Sequence, residues 1–240
     1  MKLIITIILN ISIILASTWQ EIHSSEISVP NLIVETNSLD RSIIEFKTNG
    51  FHLIPVENDG DVMNIARLEG GASILDAGYP DIHKFARSIV IPDDSHMAIK
   101  ILSSSFTDYE NIMIAPSKGN ISRLVDPSTI DYNYGDIYNK DAFFPGDLVK
   151  LEEPYILRDV RGQSIVFYPI QYNPITKVLR VYDSIEIEVF SNGPALLNKF
   201  ERNHNVLNYS KEFLNIYNSH FINYDSDNRF DYLIDHGNML

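Results

Sequence analysis

The chain has 240 residues, 45% of them hydrophobic, which is enough for a packed core. Its formal net charge is −13 at pH 7. This charge and the absence of a basic block argue against binding nucleic acid or an anionic membrane through a cationic patch. The chain contains no cysteine, so it has neither disulfides nor a cysteine nucleophile, and any thiol chemistry must come from another polypeptide.

Residues 1–18 have the layout of a secretory signal peptide. Lys2 is followed by an aliphatic run and then by small polar residues. The run of about 14 residues is shorter than the roughly 20 that a membrane-spanning helix needs, although an uncleaved anchor is the alternative. We therefore expect a secreted or cell-surface protein that passes through the periplasm and has no membrane contact after signal removal.

Residues 27–190 are dominated by a period of two, which predicts β-strands. In residues 179–189 apolar and polar side chains alternate, as in an antiparallel sheet with one buried face. Residues 163–171 are predicted to be the partner strand, joined through a turn at residues 173–176. The other predicted strands are residues 42–47, 51–56, 62–68, 85–91, 96–104, 109–115 and 154–158. This pattern favours an all-β fold, an antiparallel, jelly-roll-like sandwich over residues 22–195.

Residues 116–146 interrupt the pattern. They are rich in Gly, Pro, Asn and Asp and have few apolar residues at a fixed period. Loops longer than about 12–15 residues in a compact domain are usually functional or disordered. This segment is therefore the first candidate for a contact surface.

Residues 196–229 are predicted to form a short helix and an acidic linker. Ser210 can cap a helix that places Phe213, Leu214 and Tyr217 on one face. The stretch that follows is polar and acidic, a composition typical of linkers.

Catalytic sequence patterns are missing. The chain has no glycine-rich phosphate loop, nucleophile elbow, paired-histidine motif or calcium loop, and its seven histidines are scattered singly. Isolated histidines are better explained as surface or structural residues than as metal ligands. We expect no active site, metal or other cofactor in this chain.

Several segments together resemble the N-terminal propeptide of gingipain-type cysteine peptidases, the Arg- and Lys-specific proteases of peptidase family C25. These segments are residues 78–85, 89–92, 115–118, 154–163, 169–174 and 179–182. The run that begins at residue 154 is the most specific. Ile82-His83 departs from the family, which has a leucine there. Residues 230–240 look like the start of a peptidase domain whose remainder is missing.

The resemblance implies a non-catalytic zymogen propeptide. Such a propeptide assists folding of its cognate peptidase domain, in cis or in trans, and inserts a loop into the active-site cleft. A basic side chain of the loop then fills the pocket for the substrate's Arg or Lys. A guanidinium suits a pocket carboxylate because the two form paired, charge-assisted hydrogen bonds.

Residues 116–146 offer three basic side chains for this inhibitory role, namely Arg123, Lys118 and Lys140. Arg123 is preferred because it is the loop's only arginine and lies near its middle. An ordinary surface arginine is the alternative.

The resemblance also places the processing junction at Arg229 and Phe230. Arg229 lies in the acidic linker, where an Arg-specific peptidase can cut an exposed chain. Arg202 is the competing position, and an exposed arginine without a role is the alternative.

Arg158 and Arg161 flank Asp159 in the most family-like run. We interpret them as a surface ion pair and turn that hold the strand ends, with a net contribution of about 0–1 kcal/mol.

Two rival hypotheses stay open at this point. One is a stand-alone secreted β-sandwich that binds a protein or glycan partner. The other is a hydrolase in its own right, for which no nucleophile and base with plausible spacing are found. We expect the chain itself to be a monomer.

Overall fold

The computed structural model describes residues 16–58, 60–201 and 211–224, without the side chains of residues 36, 37 and 211. The strands in these ranges are β1 (Thr18–Glu21), β2 (Asn31–Asn37), β3 (Arg41–Lys47), β4 (Gly50–Asn58), β5 (Asp61–Arg67), β6 (Ala72–Ser73), β7 (His83–Val90), β8 (Ser95–Tyr109), β9 (Val149–Leu151), β10 (Tyr155–Leu157), β11 (Val160–Phe167), β12 (Ile170–Asn173) and β13 (Val178–Pro194). One α-helix, α1 (Lys211–His220), and two single-turn 3₁₀ helices complete the described elements.

The strands form three antiparallel sheets. One has the order β12-β13-β3-β2, with β8 also paired to β13. The second has the order β10-β11-β7-β6, with β9 also paired to β11, and the third is β1-β4-β5. The predicted fold class, an antiparallel β-sandwich with a short C-terminal helix, is confirmed.

Aromatic side chains join the two larger sheets in the core. Phe46 of β3 contacts Phe85 of β7 and Phe167 of β11, with ring centroids 5.6 and 5.4 Å apart. The alternation predicted for β13 is confirmed by five side chains that are each 0% exposed, namely Leu179, Val181, Ile185, Ile187 and Val189. They form the inner face because alternate residues of a strand point to the same side.

The predicted partner strand of β13 is in fact two strands in different sheets. β12 pairs with β13 as predicted, whereas β11 pairs with β7, β9 and β10. The chain changes sheets around Pro169, which has no N–H to donate to a ladder. The prediction of one continuous strand over residues 163–171 was therefore wrong.

Two further boundaries differ from the predictions. β1 pairs with β4, so Thr18–Glu21 belongs to the folded domain, which was predicted to start at residue 22. Residues 109–115 do not form a separate strand, because Tyr109 ends β8 and Ile114 makes only an isolated bridge. Residues 1–15 of the predicted signal lie outside the described residues. In the part of the chain that is described, no helix is long and apolar enough to span a bilayer.

The C-terminal helix packs on the sheet edge through a second apolar cluster. Tyr217 and Phe221 are buried against Val90 and Val160. Asn223 mimics a neighbouring strand, since its side-chain oxygen accepts from the Val90 N–H (2.7 Å) and its side-chain nitrogen donates to the Val90 carbonyl (3.0 Å). Tyr217, one of the three residues predicted to share a face of the helix, is 0% exposed, so the helix packs against the sheets. The predicted cap Ser210 lies outside the described residues.

The prediction of an exposed ion pair was wrong for Arg161. Arg161 is 1% exposed. Its guanidinium donates hydrogen bonds of 2.6–2.9 Å to the main-chain carbonyls of Pro92, Ser95, Leu197 and Asn198. The guanidinium of Arg158 instead lies 3.7 Å from the centroid of the Phe213 ring. The two arginines therefore hold the C-terminal segment against the sheets.

Candidate functional site

The loop of residues 116–146 stands on a base that is hydrogen-bonded to the sandwich. On the outgoing side, where the chain enters the loop, Ser117 donates its N–H to Tyr79 O (2.6 Å), and its carbonyl oxygen accepts from the Gly78 N–H (2.9 Å). On the returning side, where the chain leaves the loop, the Gly135 N–H donates to Gly78 O at 2.9 Å. The family-like stretch that begins at residue 78 is thus the foundation of the loop.

Tyrosines brace the returning side. The Tyr138 hydroxyl donates to Ile114 O at 2.9 Å, and its ring centroid lies 4.7 Å from that of Tyr134. The Tyr134 hydroxyl contacts the Met63 sulfur at 2.9 Å. Burial raises the pKa of Tyr138 far above its ordinary value, so its hydroxyl stays a donor.

The tip of the loop is a β-turn with Arg123 and Leu124 at its centre. The Val125 N–H donates to Ser122 O at 3.0 Å and closes the turn. Leu124 is 96% exposed, and Arg123 is also exposed. The Arg123 guanidinium has no hydrogen bond or ion pair with the described residues. The turn therefore presents an arginine to solvent with its charge unpaired within this part of the chain.

A capped 3₁₀ helix (Pro127–Thr129) stiffens the chain just after the turn. The Asp126 carboxylate accepts from the Ser128 N–H at 2.9 Å. The Ser128 hydrogen bonds, and to a smaller degree the Lys118 charge, lower the pKa of Asp126. The Lys118 ammonium donates to Pro127 O at 2.9 Å and lies 4.1 Å from the centroid of the Tyr132 ring. Lys118 thus stabilises the loop through contacts with two of the loop's own residues.

The structure separates the three predicted basic residues. Arg123 is at the apex, and Lys118 is held by contacts inside the loop. Lys140 is exposed but follows the second 3₁₀ helix (Asp136–Asn139) on the returning side. The arrangement favours Arg123 as the side chain offered to a partner. The predicted junction at Arg229 and Phe230, and the competing Arg202, lie outside the described residues.

Sequence reasoning missed the turn that holds Arg123, although a signal was available. Ser122 precedes the two central residues, and Asp126 precedes Pro127 at the start of a helical turn. Ser at the first position of a β-turn and Asp before a helical Pro are both typical. The same reasoning missed the contact between Gly78 and Gly135, which are far apart in the chain.

Gly78 and Gly135 cross at a distance that leaves no room for a side chain. A Cβ on Gly135 would lie 2.9 Å from Gly78 O. We expect Gly135→Ala to lower the free energy of unfolding by about 1–3 kcal/mol, because main chain must move. Urea denaturation measures this. The matched control is Gly146→Ala, where a Cβ meets nothing within 4 Å and stability should change by under about 0.5 kcal/mol. Equal effects of the two substitutions would contradict the crossing.

His83 lies next to an ion pair below the loop. Arg67 binds Asp81 at 2.8 Å, and the Leu68 N–H donates to His83 Nδ1 at 3.2 Å. Burial, and then the Arg67 charge, lower the pKa of His83 to about 4. The His83 imidazole is therefore neutral at neutral pH.

We expect the protein to lose stability as the pH falls from about 6.5 to 4, since unfolded histidine titrates near 6.5. Between these values the unfolded chain binds more protons at His83 than the folded chain, so stability rises with pH and levels off above 6.5. After allowance for partial exposure, His83 should account for about 2 kcal/mol. Urea denaturation from pH 4 to 7 checks this. A pH dependence that is the same in His83→Gln would show that another group is responsible.

No cluster of three or more His, Asp or Glu side chains suited to a metal ion occurs among the described residues.

Comparison with known proteins places most of the chain in one family. Residues 25–230 match the family model Propeptide_C25. Gingipain R2 of Porphyromonas gingivalis is 37% identical over 185 residues, which are 77% of this chain and 25% of that protein. Gingipain R1 of the same species is 34% identical over 82% of this chain and 20% of that protein. Lys-gingipain HG66 of P. gingivalis is 24% identical over 65% of this chain and 10% of that protein. The chain thus spans about a quarter, or less, of these relatives.

Two solved structures share the fold. One is a structure of the complex of P. gingivalis RgpB pro- and mature domains. The matched chain in it superposes on this chain with a TM-score of 0.73 at 34% identity. The match covers 80% of this chain and 95% of that chain. A structure of gingipain K from P. gingivalis, solved to explain zymogenic latency, has a TM-score of 0.63 at 21% identity. It covers 74% of this chain and 100% of that chain.

Proposed function

This chain belongs to the C25 propeptide family, and we propose that it inhibits a gingipain-type cysteine peptidase by inserting its loop tip into the substrate cleft. It corresponds to the propeptide region of gingipain precursors and not to their catalytic domain. The observation that carries the proposal is the turn at residues 122–125, which holds at an exposed apex an arginine that has no partner among the described residues.

The chemistry of the tip suits an Arg-specific partner. A guanidinium at the apex can form paired hydrogen bonds with a carboxylate at the bottom of a pocket. The higher identity to gingipain R2 (37%) than to Lys-gingipain HG66 (24%) supports the same choice.

The rigidity of the loop favours tight binding. The turn is closed by Val125, the cap at Asp126 follows at once, and Lys118 ties the outgoing side of the loop to Pro127. A side chain that is held in its bound position loses less conformational entropy on association. The tip therefore acts as a preorganised substitute for a substrate arginine.

We also propose that the chain assists folding of the peptidase, is exported by its N-terminal segment, and is released by cleavage after Arg229. Asn223 is fixed to Val90, so the proposed junction lies six residues beyond an anchored point in the chain. Cleavage in a linker that follows an anchored domain suits release of a propeptide.

Inhibition kinetics test the proposed function. The full chain is added to mature gingipain R2, and hydrolysis of a small arginine substrate is followed. We expect competitive inhibition with an inhibition constant of about 1 μM or below, because an interface of standard size reaches such affinities. Inhibition that does not compete with the substrate, or none at about 10 μM, would overturn the loop mechanism. The refolding yield of the mature domain, with and without the chain, tests the folding role.

A further inference from the structure

β8 is a long edge strand that lacks most of the usual protection. It pairs with β13 and with no other strand in the described ranges. All residues from 100 to 108 are exposed. Because only one side of β8 is paired, a row of its main-chain N–H and C=O groups faces outward.

The side chains of this segment do little to discourage pairing. Ile101, Leu102 and Phe106 are 45, 39 and 47% exposed. Residues 103–105 are serines, and the charges lie only at the ends, at Lys100 and Asp108. Natural edge strands are usually short or carry proline, a central charge or a bulge. Here the strand has 15 residues, and its pairing with β13 has two irregularities within this segment, an extra residue at Leu102 and an extra residue at Asp183 of β13.

The edge at β8 is in contact with the returning side of the loop through Arg180 of β13. Arg180 of β13 binds both carboxylate oxygens of Asp108 at 2.8 Å. Its guanidinium lies between the rings of Phe106 and Phe143, 3.9 and 4.3 Å from their centroids. Phe143 belongs to the returning side of the loop, so the edge and the loop form one surface. Arginine and aromatic residues held in this way are typical of the positions that carry binding energy.

We propose that residues 100–108 of β8 pair with an exposed strand of the mature peptidase domain while the loop tip enters its cleft. This inference rests on the proposed function. A stable interface buries about 1,600 Å², more than one loop tip supplies, so a second contact is needed. Pairing along a sheet edge supplies affinity through main-chain hydrogen bonds.

The mature domain fits this edge better than a second copy of the chain. A net charge of −13 on each copy opposes self-association. The continuity of β8 with the loop through Arg180 and Phe143 also directs both contacts to one partner. The matched RgpB structure is itself a complex of pro- and mature domains.

Hydrogen exchange tests the pairing directly. The full chain is measured alone and bound to mature gingipain R2 with alanine in place of its catalytic cysteine, which prevents cleavage. We expect exchange of the amides in residues 100–108 to slow by about tenfold or more on binding. Unchanged exchange in these residues, in a complex that forms, would overturn the pairing. Slow exchange in the chain alone that depends on its concentration would identify a second copy instead and would also overturn it.

Matched lysine substitutions on the two edges of one sheet complete the test. Leu102→Lys on β8 should weaken binding by about tenfold or more without changing the unfolding midpoint, because the position is exposed. Ile33→Lys on β2, at the opposite edge and 37% exposed, should leave binding unchanged. Equal binding by the two variants would overturn the inference. Full inhibition by Arg123→Ala together with protected β8 amides would refute the loop mechanism and leave the pairing standing.

Discussion

Replacing Arg123 with alanine is expected to weaken inhibition of mature gingipain R2 by about 10²–10³-fold, the cost of losing a central arginine anchor. The side chain has no partner among the described residues, so its hydrogen-bonding groups are free for the pocket of the peptidase. The inhibition constant, measured with a small arginine substrate, gives the size of the effect. The unfolding midpoint should not change, because Arg123 is exposed.

A second basic residue of the loop, Lys140, and a conservative substitution of Arg123 provide matched controls. Lys140→Ala should change the inhibition constant by less than about twofold, because Lys140 follows the second 3₁₀ helix on the returning side of the loop and not the turn at its apex. Arg123→Lys should fall between the parent and the alanine variant, because lysine keeps the charge and loses the planar fork. If Lys140→Ala weakened inhibition as much as Arg123→Ala, Arg123 would not be the anchor.

Arg161→Leu is expected to lower the free energy of unfolding by about 3–5 kcal/mol, the usual cost of breaking a buried charged network. Four carbonyl oxygens would lose their donors, including those of Leu197 and Asn198 in the C-terminal segment. Urea denaturation measures the loss. If the leucine variant does not fold, Arg161→Lys provides the measurement, with an expected loss of about 2 kcal/mol or more.

Arg158→Leu is the control for Arg161. It removes a neighbouring arginine whose cation–π contact with Phe213 is worth about 0.5–1 kcal/mol. A loss below about 1 kcal/mol for Arg161→Leu, or equal losses for the two arginines, would show that the carbonyl network contributes little.

Local patterns predicted those elements whose signal is contained in a short stretch of sequence. β13 was found because its apolar residues alternate, and the buried face of α1 was found because Phe213 and Tyr217 have helical spacing. The same reasoning failed at Pro169. A proline marks a probable end of a strand, but it carries no information about which sheet the next strand joins.

The candidate site was predictable in part. The length and composition of residues 116–146 indicated a functional loop, and Arg123 was its only arginine. The choice among three basic side chains needed their contacts, because Lys118 is occupied by Pro127 and Tyr132. The foundation at Gly78 and Gly135 also depends on residues that are distant in the chain.

The sequence by itself determined the composition-dependent properties of this protein: a β-rich, acidic chain without a catalytic thiol, and its likeness to a propeptide family. Only the tertiary structure decided that Arg161 is buried, that Arg123 stands at an apex, and that β8 is paired on one side only among the described strands. The physical reason is that burial and strand pairing depend on contacts between segments far apart in the chain. Such contacts are set by collective packing and register, which local propensity does not encode.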